Sequence, residues 1–332
     1  MDILETLCTL NACHGPSGDE GEIAAAIETL CTPFVDSCRV DTLGNLIAHK
    51  KGSGAKVMFA AHMDSIGLIV THVEEKGFLR FGKIGGLPPR SVLHTPVRFR
   101  NGTRGVVSAD CDAKTVTLDE LYIDIGAADR AEAERLVSPG DTAVYDAPAF
   151  WAGKDKLISP YLDNRISCVA LLLAMERMTA HENDLFFVFT VQEELGLRGA
   201  RTSAYGIGPD YGIAVDVTAA DDMPGSKHAA SAVTGGGAGV KVMDASVISH
   251  PSVVQRLEEL AKEREIPVQR DIIRSGGTDA GAIHQTRAGV RTGGITIPCR
   301  YVHAPVELAD RRDVEAAANL IVAFAGVKLE KD

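Results

Sequence analysis

Aromatic residues are scarce in this chain of 332 residues: Phe, Trp and Tyr together make up 5%, with a single tryptophan. Packing must therefore rest on Ala, Val, Ile and Leu. No stretch reaches the 18 or more consecutive apolar residues of a membrane span. Basic charge is also in short supply, since 34 Lys and Arg face 45 Asp and Glu, for a net charge of −11. A general nucleic-acid binder needs a basic stripe to replace counterions, and an anionic membrane repels an acidic surface. Neither nucleic acid nor a membrane is an expected partner. There is no charged tail, no internal repeat and no low-complexity tract. The seven cysteines (Cys8, Cys13, Cys31, Cys38, Cys111, Cys168 and Cys299) are odd in number and irregularly spaced, with no Cys-x-x-Cys. That pattern speaks against a disulfide framework and a thiolate zinc site and fits a reducing cytoplasm. The opening segment MDILETLCTLNACHGPSGDE carries acids where a signal peptide needs bases, and reads as an amphipathic helix.

What is present is ordinary globular material, 45% apolar and 24% charged, long enough for about two domains. The expected fold is α/β: a mostly parallel sheet flanked by helices, with a small antiparallel β domain inserted. A first helix leads to the turn Gly15-Pro16-Ser17-Gly18. A second follows, with Ser17 or Asp19 as its expected cap. VMFAAHMD reads as a buried strand ending in polar residues. From about Gly67 the texture changes. IGLIVTHVEEKGFLRFGKI holds two strand-like runs, PVRFRNGTRGVVSAD holds two more about an Asn101-Gly102 turn, and AKTVTLDELYIDIGA adds another. The expected division is 1–66 and 148–332 for the α/β body and 67–147 for an inserted barrel or sandwich. After Trp151, LFFVFTVQEE, YGIAVDVT and GGITIPCRYVH read as buried strands. DNRISCVALLLAMERM, PSVVQRLEELAKERE and RRDVEAAANLIVAFAGVKLE read as helices. Such alternation argues for a parallel sheet covered on both faces.

In open α/β sheets, functional residues gather beyond the carboxyl ends of the strands. The polar residues that end these runs are His62 and Asp64, Glu193 and Glu194, Asp216 and His303, with Asp163 at a helix start. Two histidines among carboxylates are a donor set for zinc or a similar divalent cation. Taken singly, each has a bland reading as a strand end, a solvated loop, a helix cap or a core histidine. Together they supply a two-metal site: one bridging carboxylate, one histidine and one further carboxylate for each metal, and one glutamate left over as a base. The other histidines, 14, 49, 72, 94, 181, 228, 250 and 284, lack such neighbours, and His94 is the one to watch.

In GPSGDE, AAHMDSIGLIV, GKIGG, LDNRIS, VQEELGLRGA, AVDVT and SGGTDAGAIHQTRAGVRTGGITIPCRYVHAPVE, the chain resembles the TET-type aminopeptidases over nearly its whole length. This is the cytosolic dinuclear metallopeptidase family also labelled glutamyl aminopeptidase or cellulase M. The resemblance implies two divalent metals per subunit, zinc first, with cobalt or manganese as alternatives. It implies that His62 and Asp216 bind one metal, Glu194 and His303 the other, and that Asp163 bridges. Glu193 is then the general base, and Asp64 orients His62. Release of single N-terminal residues from short peptides follows, as does self-association through the inserted β domain, from dimer to tetrahedral dodecamer.

Other activities fit these residues less well. A related carboxypeptidase or deacylase would use nearly the same ligands. A nonenzymatic assembly protein would be expected to lack a ligand or base, and every such position is filled. A glycosidase needs two carboxyl groups flanking its bond, whereas adjacent Glu193 and Glu194 on an extended strand would point to opposite faces. GGGAGVK lacks the Lys-Ser/Thr and glycine spacing of a phosphate loop. Gly235-Gly236-Gly237 and Gly276-Gly277 read as turns or as walls beside the metals, the second pair nearer the site.

Overall fold

A computed structural model of the chain describes residues 1–110, 116–227 and 230–331. Cys111, His228 and the first three residues of AKTVTLDELYIDIGA lie outside the described residues. The chain opens with helices α1 (Ile3–Ala12) and α2 (Gly21–Cys31), then strands β1 (Ser37–Val40), β2 (Leu46–Lys50) and β3 (Lys56–His62). Next come β4 (Gly67–Val73), β5 (Leu79–Ile84), β6 (Pro96–Phe99), β7 (Arg104–Ala109) and β8 (Leu121–Asp124), the short helix α3 (Arg130–Glu134) and β9 (Thr142–Tyr145). The remainder runs β10 (Phe150–Ala152), β11 (Lys156–Ser159), α4 (Leu162–Arg177), β12 (Asp184–Thr190), α5 (Arg198–Ile207) and β13 (Tyr211–Ala219). It closes with β14 (Ala238–Met243), α6 (Pro251–Glu263), β15 (Val268–Ile272), α7 (Ala280–Ile283), β16 (Arg291–Arg300), β17 (Glu307–Asp310) and α8 (Arg311–Gly326).

The large sheet is mixed. Its centre is the parallel run β12-β3-β13-β16, and β2, β14 and β17 attach antiparallel at its margins. The central strands are buried along nearly their whole length, as the unbroken apolar runs require when helices cover both faces. Phe59, Phe187 and Val215 pack toward α4 and α8 in the main core. Met58, Ala60 and Val188 face α5 and α7 on the other side. Local chemistry sets the helix ends. The Asp2 carboxylate accepts from Glu5 N at 2.9 Å to cap α1. Pro251 begins α6 behind a His250 cap, and Asp310 accepts from Arg312 N at 2.9 Å to cap α8.

The strands β4 to β9 close into a separate antiparallel barrel in the order β4-β5-β8-β7-β6-β9 around Leu68, Val97, Phe99 and Ile123. Among the described residues, closure gives each of these six strands a partner on both sides, with β5 and β8 meeting only at Leu79 and Ile123. Asn101-Gly102 forms the tight connection between β6 and β7, with Gly102 at φ +88°. The helix α2 departs from expectation. Its cap residue is Glu20, and neither Ser17 nor Asp19 caps it. Ser17 instead donates its hydroxyl to Asp64 at 2.6 Å, and Asp19 pairs with Arg100 at 2.7 Å. Both side chains are drawn into tertiary contacts that a local reading does not contain.

Candidate functional site

The four central strands run parallel, so their carboxyl ends share one edge of the sheet. His62 is the last residue of β3, in register with Thr190 at the end of β12. The β3–β13 ladder stops at Ala60–Ala214, while β13 continues along β16 to Ala219. That divergence opens a crevice, and Asp216 lies on β13 just past the point of separation. Asp216 is thus inside its strand rather than at its end, yet still faces His62, with Oδ1 3.7 Å from Nε2. Asp163 comes from the first turn of α4, where the backbone is not yet helical and the Asp163–Asn164 peptide is cis. His303 follows β16.

The seven residues expected at the site fall into one cluster. Asp163 is its centre: Oδ1 lies 3.0 Å from Nε2 of His62, and Oδ2 lies 3.2 Å from Nε2 of His303. Glu194 Oε1 is 3.1 Å from the same atom of His303, and Glu193 Oε2 is 3.9 Å from Nε2 of His62. The two glutamates do not point to opposite faces. β12 ends at Thr190, and Gln192 takes a left-handed φ of +53°, so both carboxylates turn into the same crevice. Tyr161, just before Asp163, and His303 itself are also left-handed, at φ +57° and +69°. Left-handed conformations at non-glycine residues are uncommon and gather at sites that the surrounding structure enforces.

Asp64 anchors the cluster. Its backbone carbonyl is 3.1 Å from Nδ1 of His62, and its carboxylate Oδ1 is 3.5 Å away. The same carboxylate accepts from Glu193 N at 3.0 Å and Glu194 N at 3.3 Å, fixing the glutamate turn. Nδ1 of His303 is 2.9 Å from the carbonyl of Gly86. Both imidazoles thus spend Nδ1 on a backbone oxygen and direct Nε2 at the carboxylates, the arrangement that fixes a ligand's tautomer. A Cβ on Gly86 would lie 2.7 Å from Nδ1 of His303, so glycine is required for this approach.

Sequence reading missed two of the deeper supports, Glu307 and Glu20, whereas Asp279 was expected either to cap a helix or to support the site. Glu307 is buried and accepts from Asp163 N at 2.9 Å and His303 N at 2.7 Å, tying two of the site's loops together. Glu20 accepts from Gly18 N at 2.8 Å and Gln192 N at 3.1 Å, holding the turn before Glu193. Asp279 accepts the Thr190 hydroxyl at 2.5 Å. Glu20 and Glu307 sit inside the segments GPSGDE and HAPVE, but neither has a periodic or spacing signal that marks it. Of the glycine runs, Gly276 and Gly277 line the site's cavity. Gly235 and Gly237 belong to a turn whose N–H groups donate to Asp313 at 2.7 and 2.8 Å. His94 lies before β6, donates its N–H to Val107 O at 2.8 Å, and is not among the residues lining the cavity.

The electrostatics are those of a site short of positive charge. Burial, with Asp163 and Asp279 nearby, pushes the Asp216 carboxyl well above the usual range. Burial, with Asp216 and Glu194 nearby, does the same to Glu193. Burial opposes charge on His303, but Asp163 and Glu194 outweigh it and push the imidazole up to about 12. Ligand atoms of His62, Asp163 and Asp216 lie within 4.8 Å of one another, as do those of Asp163, Glu194 and His303. Nitrogen and oxygen donors in this arrangement fit divalent cations of the zinc type. Among the described residues, no helix is long and apolar enough to cross a membrane.

A model of the family described as M42 glutamyl aminopeptidase matches residues 44–320. A protein of Acetivibrio thermocellus provisionally named an aminopeptidase is 47% identical over 324 residues, covering 97% of this chain and 98% of its own length. Among solved structures, an aminopeptidase of Desulfurococcus kamchatkensis superposes with a TM-score of 0.94 at 39% identity, covering 97% of this chain and 94% of its own. The TET1 peptidase of Pyrococcus horikoshii, which can assemble into a tetrahedron or a large octahedral shell, gives a TM-score of 0.89 at 32% identity, covering 98% of this chain and 99% of its own. With its sequence, its fold and its crevice all pointing the same way, the chain belongs to the M42 glutamyl aminopeptidase family and is a hydrolase of the aminopeptidase class.

Proposed function

We propose that the protein removes single N-terminal residues from short peptides at a site holding two divalent cations. The observation that carries this reading is the position of Asp163, with one carboxylate oxygen toward each histidine. His62 and Asp216 would hold one cation, His303 and Glu194 the other, and Asp163 both. Zinc suits the donor set, with cobalt or manganese as alternatives. Bound there, the cations would supply Lewis-acid polarisation of the scissile carbonyl and a water of lowered pKa.

The remaining chemistry belongs to the chain's own residues. Glu193 is the carboxylate left over once the cations have their donors. It takes a proton from the attacking water and returns it to the leaving amine. Asp64 keeps Glu193 in place through the backbone of the turn and sets the orientation of His62. The excess of acid in the crevice favours a substrate's free ammonium terminus over an internal peptide bond, which makes the enzyme an exopeptidase. The family's assembling relative supports self-association here as well, from dimer to tetrahedral dodecamer through the barrel at 67–147. A cytoplasmic setting follows from the odd, irregular set of cysteines.

The test is hydrolysis of aminoacyl p-nitroanilides and short peptides by wild type and Glu193→Gln, after metal stripping and re-addition. Metal-dependent release of the first residue, lowered about 10²- to 10⁴-fold in kcat by Glu193→Gln with metal content unchanged, is expected. Release of C-terminal residues, or a variant as active as wild type, would sink the proposal.

A further inference from the structure

The cavity beside the cluster has a volume of about 680 Å³ and extends well past the ligand residues. Part of its lining is apolar, formed by Ala219, Ala220, Met223, Ile273 and Val302. One charged side chain interrupts them. Asp221 lies just beyond β13, five residues after Asp216 on the same segment. Its neighbour Asp222 is fully engaged, with Arg300 at 2.7 and 2.8 Å and with Thr234 through both its backbone N–H and its hydroxyl. Asp221 is not. Oδ1 accepts the Ser226 hydroxyl, while Oδ2 is buried with no hydrogen-bond partner. A buried carboxylate oxygen without a donor is costly and is uncommon in folded proteins.

The charge count points the same way. Among the described residues, the cavity is lined by the carboxylates Asp163, Glu193, Glu194, Asp216 and Asp221 and by no Lys or Arg. Two divalent cations would balance four of those carboxylates. The fifth charge, remote from the cluster in function, would still lack a counterion.

We infer that Asp221 is a specificity residue that selects substrates whose first residue carries a cationic side chain, lysine or arginine. This rests on the aminopeptidase reading. The aliphatic stem of such a side chain lies along Ala219, Ala220, Met223, Ile273 and Val302, as long basic side chains do on apolar surface. Its charged end supplies the donor that Oδ2 lacks. A glutamyl or aspartyl first residue meets a carboxylate in the same place and is rejected by repulsion and desolvation together. An aliphatic first residue fits the walls but leaves Oδ2 unpaired. Discrimination against it is therefore real but smaller than against an acid.

The test uses the metal-loaded enzyme and p-nitroanilides of Lys, Arg, Leu, Met and Glu. Wild type is compared with Asp221→Asn, Asp221→Ala and Asp221→Glu. Wild type should prefer Lys and Arg, with Glu the poorest. Asp221→Asn and Asp221→Ala should lower the Lys:Leu ratio of kcat/KM about 10- to 100-fold, as loss of a charge-assisted contact implies. The loss should fall mainly in KM, and Asp221→Glu should restore part of it. Equal use of Leu and Lys by wild type would overturn the inference, as would variants in which every substrate falls together. In both cases the enzyme still releases first residues, so the aminopeptidase reading survives. Failure of wild type on all aminoacyl substrates would remove that reading and this inference with it.

Discussion

Glu307→Gln is the substitution that most directly probes how the site is held. The buried carboxylate takes one N–H from each of two loops, Asp163 N on Oε2 and His303 N on Oε1. Burial and the nearby Asp163 push its carboxyl well above the usual range, while these two N–H donors pull the other way. Glutamine keeps one acceptor and places an NH₂ where the other oxygen stood. One charge-assisted bond is lost, at about 1.5–3 kcal/mol, and one buried N–H faces another donor. Relief of the carboxylate's desolvation offsets part of this. The expected net loss of stability is about 1–3 kcal/mol, read from urea unfolding in EDTA. The larger consequence is for binding. Asp163 and His303 lose the carboxylate that fixes their relative position, and zinc affinity should fall about 10- to 100-fold, as it does when a ligand's supporting partner is removed. Competition with a chromophoric chelator measures this. Asp313→Asn is the control: it also removes a buried carboxylate from two backbone N–H groups, those of Gly235 and Gly237, outside the cavity. It should lower stability and leave zinc affinity unchanged. Zinc affinity in Glu307→Gln within twofold of wild type would refute the argument that this residue aligns the two loops.

Two further outcomes are expected. Burial, with Asp64 nearby, pushes the Glu20 carboxyl up to about 7. Its folded form therefore binds a proton more tightly than the unfolded chain, and its contribution to stability is full below about pH 4.3 and lost as pH rises through 7. Glu20→Gln keeps the acceptor for both Gly18 N and Gln192 N without the charge. It should be more stable than wild type at pH 8 by up to about 3 kcal/mol, and no more stable at pH 4. Chemical unfolding of both metal-free proteins from pH 4 to 8.5 checks this, and a difference that does not change with pH would contradict it. Self-association is checked by sedimentation of the metal-loaded protein. A species of several subunits is expected, and a monomer at all concentrations would exclude assembly through the barrel.

Much of the fold was legible because burial leaves plain marks in one dimension. A strand covered on both faces must be apolar throughout, so KVMFAAH, DLFFVFT and the run ending in Asp216 announce themselves. Their polar ends then mark the functional edge of the sheet. The alternating segments from Gly67, with the Asn101-Gly102 turn, read as a separate antiparallel unit for similar reasons. Local rules failed where a side chain found a distant partner. Ser17 and Asp19 carry ordinary capping chemistry, yet Asp64 and Arg100 claim them, and Glu20 occupies the cap position. Glu193 and Glu194 follow a strand, which predicts opposite faces. A left-handed Gln192, held by Glu20, turns both into the same crevice.

The linear chain already carries the available chemistry: two imidazoles, a surplus of carboxylates, and strands whose ends would bring them to one edge. Donor types and apolar runs are properties of residues and their near neighbours, so they survive in a linear string. The arrangement of that chemistry comes from long-range packing. The split of Asp163 between two histidines, the tie that Glu307 makes to Asp163, 144 residues away in the chain, and the unpartnered oxygen of Asp221 all depend on distances between segments that the sequence keeps far apart. Such distances are fixed by the packing of the whole sheet and its helices, and no local pattern encodes them.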